Sequence, residues 1–215
     1  MSETSEKTWT LTARWIIPVD GPPLKQGTIT ISGDRIVAVE PHGQRSADQD
    51  LGNVAILPGF VNAHTHLDLS GLRGKCPPRP DFTEWLRGVI RHRRTQTPEQ
   101  IECDIREGLR ESLVSGTTLL GDITAGGASW SILSQAPIRS VVFHELLGLP
   151  ADRVAPVTKL ATDWLLFHEA SATCRPGLSP HAPYSTSQAI FEMVGKLAEE
   201  YRVPLATHLA ETTWE

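Results

Sequence analysis

The stretch Asn62-Ala63-His64-Thr65-His66-Leu67-Asp68 places two histidines one residue apart. On a strand, alternate side chains share a face, so both imidazoles point the same way. Such a pair can hold one divalent cation of borderline softness, zinc above all. Thr207-His208-Leu209-Ala210-Glu211-Thr212 offers a third imidazole, His208, and a carboxylate, Glu211. A carboxylate within reach of a metal-activated water can move protons between that water and a substrate. Ser179-Pro180-His181-Ala182-Pro183-Tyr184-Ser185 presents His181 between two prolines, as a ligand or as a hydrogen-bonding group for substrate. Each motif has a plainer reading taken alone: a polar strand end, a solvated loop acid, a capped loop histidine.

The elements around these residues decide between the readings. Residues 1–57 read as all-β: Thr8–Ala13 alternates polar and apolar, and Gly27–Ile31 and Arg35–Val39 flank the turn residues Ser32-Gly33-Asp34. From residue 58 strands and helices alternate. Thr97-Pro98-Glu99-Gln100 predicts a helix start, with Thr97 as N-cap and Gln100 closing a capping box. Ile101, Ile105, Leu109 and Leu113 give that helix an apolar stripe, and Gly116 stops it. A short helical piece is expected over 129–135 and a longer helix over 157–169. Ser185-Thr186-Ser187-Gln188 reads as a second capping box, opening a helix with Ile190, Phe191, Val194, Leu197 and Tyr201 on its apolar face. Strands are expected near residues 60, 120, 142, 178 and 206, the last over 203–210. Alternating strands and helices with short connections imply a mostly parallel sheet. His64, His66, His181, His208 and Glu211 then all fall at C-terminal strand ends, the face on which a (β/α)8 barrel builds its active site. Asp122, His144 and Glu145, also near strand ends, read as structural. His42, His92 and His168 read as surface residues.

The chain has 215 residues, 40% hydrophobic and 21% charged, which excludes a disordered or fibrous protein. A net charge of −5 argues against a general nucleic-acid binder. No apolar run approaches the roughly 18 residues of a membrane helix, and Met1–Lys7 lacks the start of a signal peptide. Cys76, Cys103 and Cys174 are odd in number and far apart, so they read as inert thiols in a reducing compartment, the cytoplasm.

Leu57-Pro58-Gly59-Phe60-Val61-Asn62-Ala63-His64-Thr65-His66, then Ser179-Pro180-His181, then His208-Leu209-Ala210-Glu211, resemble the amidohydrolase superfamily. The resemblance is closest to its chlorohydrolase and aminohydrolase branch, which includes deaminases of cytosine, guanine, adenosine derivatives and s-triazines. It implies a metal-dependent (β/α)8 barrel, here about its first five βα units over 58–215, preceded by N-terminal strands of a small β-sandwich over 1–57. It implies one divalent ion, zinc first and iron as the alternative, held by His64, His66 and His208. Glu211 would be the catalytic acid/base, and His181 would face a small-molecule substrate. The implied reaction is hydrolytic deamination of an N-heteroaromatic or purine-like amine, with a homodimer common among relatives. The family's later half supplies a further His and Asp that this sequence lacks. The chain is therefore expected to be a fragment, binding metal poorly and inactive alone.

Two features bear on substrate. Arg73, in Gly71-Leu72-Arg73-Gly74, follows the first barrel strand and is expected to border the pocket. Related nucleoside deaminases often place an acid a few residues after a segment like Glu84-Trp85-Leu86, where this chain has Arg91-His92-Arg93-Arg94. That run reads either as a solvated helix face or as a pocket for an acidic substrate. The motifs around His64 and His181 are also similar to aminodeoxyfutalosine deaminases. Two other readings keep the site or the fold: a triazine-type chlorohydrolase or cyclic amidase, and a non-catalytic scaffold.

Overall fold

The computed structural model describes residues 8–213. The Met1–Lys7 stretch, read above for targeting features, lies outside the described residues. The chain divides into two units, Met1–Gly59 and Phe60–Glu215.

Polar–apolar alternation builds the first unit from short strands. These are β1 (Thr8–Thr12), β2 (Trp15–Ile16), β3 (Leu24–Lys25), β4 (Thr28–Ser32), β5 (Arg35–Glu40), β6 (Gln49–Asp50) and β7 (Ala55–Ile56). The expected hairpin is β4–β5, turning at Gly33 with φ of +57°, a conformation glycine adopts without strain. One sheet has the order β5-β4-β1-β6 and the other β3-β2-β7.

In the second unit β8 (Phe60–Thr65) is followed by a 3-10 segment, Leu67–Leu72, and then by α1 (Phe82–Thr95) and α2 (Pro98–Val114). There follow β9 (Thr117–Thr124), α3 (Trp130–Leu133), β10 (Arg139–Leu146), α4 (Val154–Phe167), β11 (Cys174–Pro180) and α5 (Gln188–Tyr201). The four strands form one parallel sheet in the order β11-β10-β9-β8. Sequential order with helical crossovers puts every C-terminal strand end on the same edge.

The caps differ in how well sequence anticipates them. The capping box at Thr97 forms as expected, with Pro98 in the first turn. The second does not. The helix starts at Gln188 with Ser187 as N-cap and no side-chain cap bond. The residues expected to cap are used elsewhere: Ser185 Oγ donates to the Ala182 carbonyl, and Thr186 Oγ1 donates to the Leu146 carbonyl. The expected strand over 203–210 is reduced to one parallel bridge, Leu178 with Leu205. Pro204 has no N–H to give to a ladder. Pairing survives through Leu178 N–H to the Pro204 carbonyl and Ala206 N–H to the Leu178 carbonyl, both 3.1 Å.

The core lies between the sheet and its helices. Leu120, Val142, Leu146 and Leu178 from the strands pack with Ile105, Val157, Ala161, Ile190 and Val194 from the helices. Gly121 lets β9 approach β8, because a Cβ there would collide with the Ala63 carbonyl oxygen. Asp122, fully buried next to it, ties the layers together. Its carboxylate accepts from the Leu67 N–H at 2.8 Å and from the Ser129 hydroxyl.

Burial raises the Asp122 carboxyl from 3.8 to about 6, although the two hydrogen bonds favour the ionised form. Below about pH 4 both folded and unfolded states carry the proton. Between about 4 and 6 the unfolded state releases it first, so this contribution to stability, up to roughly 3 kcal/mol, is lost as pH rises. Asp122→Asn keeps the acceptor for Leu67 and removes the titration. Thermal melts are expected to show the difference in Tm, variant minus wild type, rising between pH 4 and 6.5.

Candidate metal centre

β8 brings the first two histidines to the strand-end edge. Its ladder with β9 is irregular between Asn62 and Thr65, where the Asn62 side-chain oxygen accepts from the His64 N–H at 3.2 Å. The rings of His64 and His66 lie 5.2 Å apart between centroids, edge to face. His208 arrives from the segment after the Leu205 bridge. Its N–H and its Nδ1 both donate to the His181 carbonyl, at 2.8 and 3.0 Å. A carbonyl only accepts, so Nδ1 carries the proton and Nε2 presents a lone pair. That Nε2 stands 3.1 Å from Nε2 of His66. Ligand nitrogens of His64, His66 and His208 all lie within 4.8 Å of one another.

This donor set fits a divalent cation. His66 is buried enough that its imidazole is pushed down to about 4; Glu145 opposes that shift, and Arg93, His208 and His64 add to it. Its ring is therefore neutral at physiological pH, as a ligand must be. His66 Nδ1 is buried with no hydrogen-bond partner among the described residues. Two imidazole Nε2 atoms facing each other at hydrogen-bond distance, one of them proton-free, are arranged as ligands around a common point. Burial, with His208, also lowers His64.

His181 and Glu211 stand on the same edge. His181 Nδ1 lies 2.7 Å from Ser185 Oγ, whose own proton goes to the Ala182 carbonyl. The ring therefore donates from Nδ1 and turns Nε2 inward. Burial lowers its pKa, against the pull of Glu145. The Glu211 carboxylate accepts from the Tyr184 hydroxyl at 2.6 Å. A cavity of about 1080 Å³ opens beside it, between the start of α1 and residues 211–213, with Phe82 and Trp85 on its wall.

Arg73 goes elsewhere. It lies just past the 3-10 segment, and its guanidinium meets Glu111 of α2 at 2.8 Å in an exposed pair.

The structure adds residues that sequence reading left out. Glu145, read as structural, is buried at the end of β10, with Oε1 3.9 Å from His181 Nε2. Arg93, in the run read either as a solvated helix face or as a pocket for an acidic substrate, turns inward from α1. It meets Glu145 at 3.1 Å and Asp68 at 3.2 Å, while Arg91 and Arg94 stay exposed. The signal for Glu145 was strand alternation. Its neighbour His144 faces the helices, stacked on Trp164 at 5.0 Å, so Glu145 faces the other way. His168, read as a surface residue, is half-buried and stacks on Trp164 with centroids 3.9 Å apart.

The amidohydrolase family profile matches residues 55–215, and the chain belongs to that family. The 5-methylthioadenosine/S-adenosylhomocysteine deaminase of Nitratidesulfovibrio vulgaris (strain Miyazaki F) is 30% identical over 204 residues, covering 89% of this chain and 46% of that protein. Helicobacter pylori aminofutalosine deaminase in complex with methylthio-coformycin superposes with a TM-score of 0.79 at 22% identity, over 95% of this chain and 51% of that one. The zinc complex of atrazine chlorohydrolase from Arthrobacter aurescens TC1 gives 0.77 at 22% identity, over 93% and 52%. At that identity the structural likeness shows a shared α/β fold with a parallel sheet. The chain spans about half the length of the relatives it matches.

Zinc affinity can be measured by competition with a chromophoric chelator at neutral pH. His66→Asn and His208→Asn are expected to weaken it more than about tenfold, or about 1.4 kcal/mol. His144→Asn, on the opposite face of the sheet, is expected to leave it within about twofold. Equal losses from all three would place the ion elsewhere.

Proposed function

We propose that this chain carries the metal-binding half of a hydrolytic aminohydrolase acting on an N-heteroaromatic or purine-like amine. The observation that carries the reading is the convergence of three imidazoles and one tyrosine-held carboxylate on a single strand-end edge. The parallel sheet is read as the first part of a (β/α)8 barrel, and the N-terminal strands, to about residue 57, as part of a small β-sandwich.

His64, His66 and His208 would hold the cation, with zinc first and iron second. Bound there, a divalent ion supplies Lewis acidity that makes water a nucleophile near neutral pH. The chain's own residues do the rest. Glu211 takes one proton from the attacking water and gives it to a ring nitrogen as the C–O bond forms. It then takes the second proton, from the new hydroxyl on the ring carbon, and gives it to the amine, which leaves as ammonia as the C–N bond breaks. Tyr184 orients Glu211 by donating to one of its carboxylate oxygens. His181, fixed at Nδ1 by Ser185, turns Nε2 inward as an acceptor for a substrate N–H or O–H. Phe82 and Trp85 offer an apolar wall to a flat ring. Zinc in the chlorohydrolase of similar fold and the deaminase names of the relatives support the assignment. Arg73, ion-paired to Glu111, is left out of the proposed pocket.

The test is ammonia release from a panel containing 5-methylthioadenosine, S-adenosylhomocysteine and aminotriazines, using the polypeptide of the complete reading frame loaded with zinc. Glu211→Gln is expected to cut kcat by roughly 10²- to 10⁴-fold while zinc stays bound. Release of chloride from chlorotriazines without ammonia would replace this reading with the dehalogenating one. A zinc-loaded protein that turns over nothing would favour a scaffold.

A further inference from the structure

Two donor sets overlap in this site. His64, His66 and His208 form one, and Glu145, His181 and His208 form the other, each with its ligand atoms within 4.8 Å of one another. His208 spends Nδ1 on the His181 carbonyl, so only Nε2 is left to serve either set. One cation can therefore choose between two positions, and both sets are chemically suitable.

Arg93 breaks the tie. Its guanidinium lies 3.1 Å from Glu145 Oε2 and 3.2 Å from Asp68 Oδ2. The carboxylate side chains are 3% and 6% exposed, so solvent screens little of this attraction. The guanidinium engages Oε2 and draws negative charge away from the carboxylate, which makes the oxygen facing His181, Oε1, a weaker ligand. Its charge also opposes a second positive charge on that side of the site. Arg93 comes from α1, outside the strands that carry the ligands, and its ion pairs go to Glu145 and Asp68.

We propose that Arg93 is a positioning residue that keeps Glu145 out of the ligand set and so confines the cation to His64, His66 and His208. The proposal rests on the metal-binding reading above. It leaves Glu145 and the inward Nε2 of His181 as a hydrogen-bonding pair for substrate rather than as ligands.

A double-mutant cycle on zinc affinity tests it, read by chelator competition on the polypeptide of the complete reading frame, with the absorption spectrum of the cobalt(II)-loaded protein as a second readout. In the wild-type background E145Q is expected to change the zinc Kd by less than about threefold and to leave the cobalt spectrum unaltered. In the R93Q background Glu145 becomes a ligand. There E145Q is expected to weaken zinc on the order of 10- to 100-fold and to shift the cobalt bands. H64N is expected to cost less in R93Q than in wild type, because Glu145 substitutes for the lost imidazole. Should R93Q fail to fold, as circular dichroism would show, R93K carries the same cycle. It keeps the charge but not the fork that grips both carboxylates.

Equal effects of E145Q in the two backgrounds would overturn the proposal and leave the three-His site standing. A loss above about tenfold from E145Q in wild type would also overturn it, because Glu145 would already be a ligand. Failure of the wild-type chain to bind zinc at all would remove the metal reading and this proposal together.

Discussion

The carbonyl oxygen of His181 is the point on which the site depends. It accepts from the His208 N–H, from His208 Nδ1 and from Thr207 Oγ1, at 2.8, 3.0 and 3.1 Å. These bonds hold a segment that regular pairing does not hold, because Pro204 cannot donate and Leu205 makes only a bridge. They also choose the tautomer of His208 and so aim Nε2 at His66. One backbone atom thus positions the third ligand and sets its protonation. The same residue's side chain, locked through Ser185, faces inward from the other side.

Around that point the fold supplies charge balance as well as geometry. Asp68, Asp122 and Glu145 are buried acids, answered in two ways. Asp122 has two hydrogen-bond donors, but burial dominates and its carboxyl titrates high, with Arg93 a minor opposing influence. Asp68 and Glu145 share Arg93. Burial still raises Asp68, with Arg93 opposing. Taking three carboxylates out of water is tolerable because each is hydrogen-bonded or paired. Glu145 places negative charge beside His181, which suits the metal-binding reading proposed for this edge.

Much of this was legible beforehand where local rules govern. The capping box at Thr97, the β4–β5 hairpin and the four parallel strands follow from periodicity and turn chemistry. Strand alternation alone puts His64 and His66 on one face. Other expectations failed for tertiary reasons. The serine and threonine of the second capping box had better partners in the His181 loop and the Leu146 carbonyl. Arg73 found Glu111. Arg93 was indistinguishable in sequence from Arg91 and Arg94, and only the rotation of α1 turns it toward Glu145 while its neighbours face water.

The residue types, their spacing and the order of strands are properties of the chain alone. Together they determined that imidazoles at 64, 66, 181 and 208 and a carboxylate at 211 would gather on one edge, because parallel strands with helical crossovers all end on the same side. Which of those groups touch, which nitrogen carries a proton, and which acid is neutralised depend on contacts between residues 25 to 142 positions apart. Such contacts have no local signature. They are selected by packing and by competition for partners in a low-dielectric interior, and the tertiary structure alone decided them.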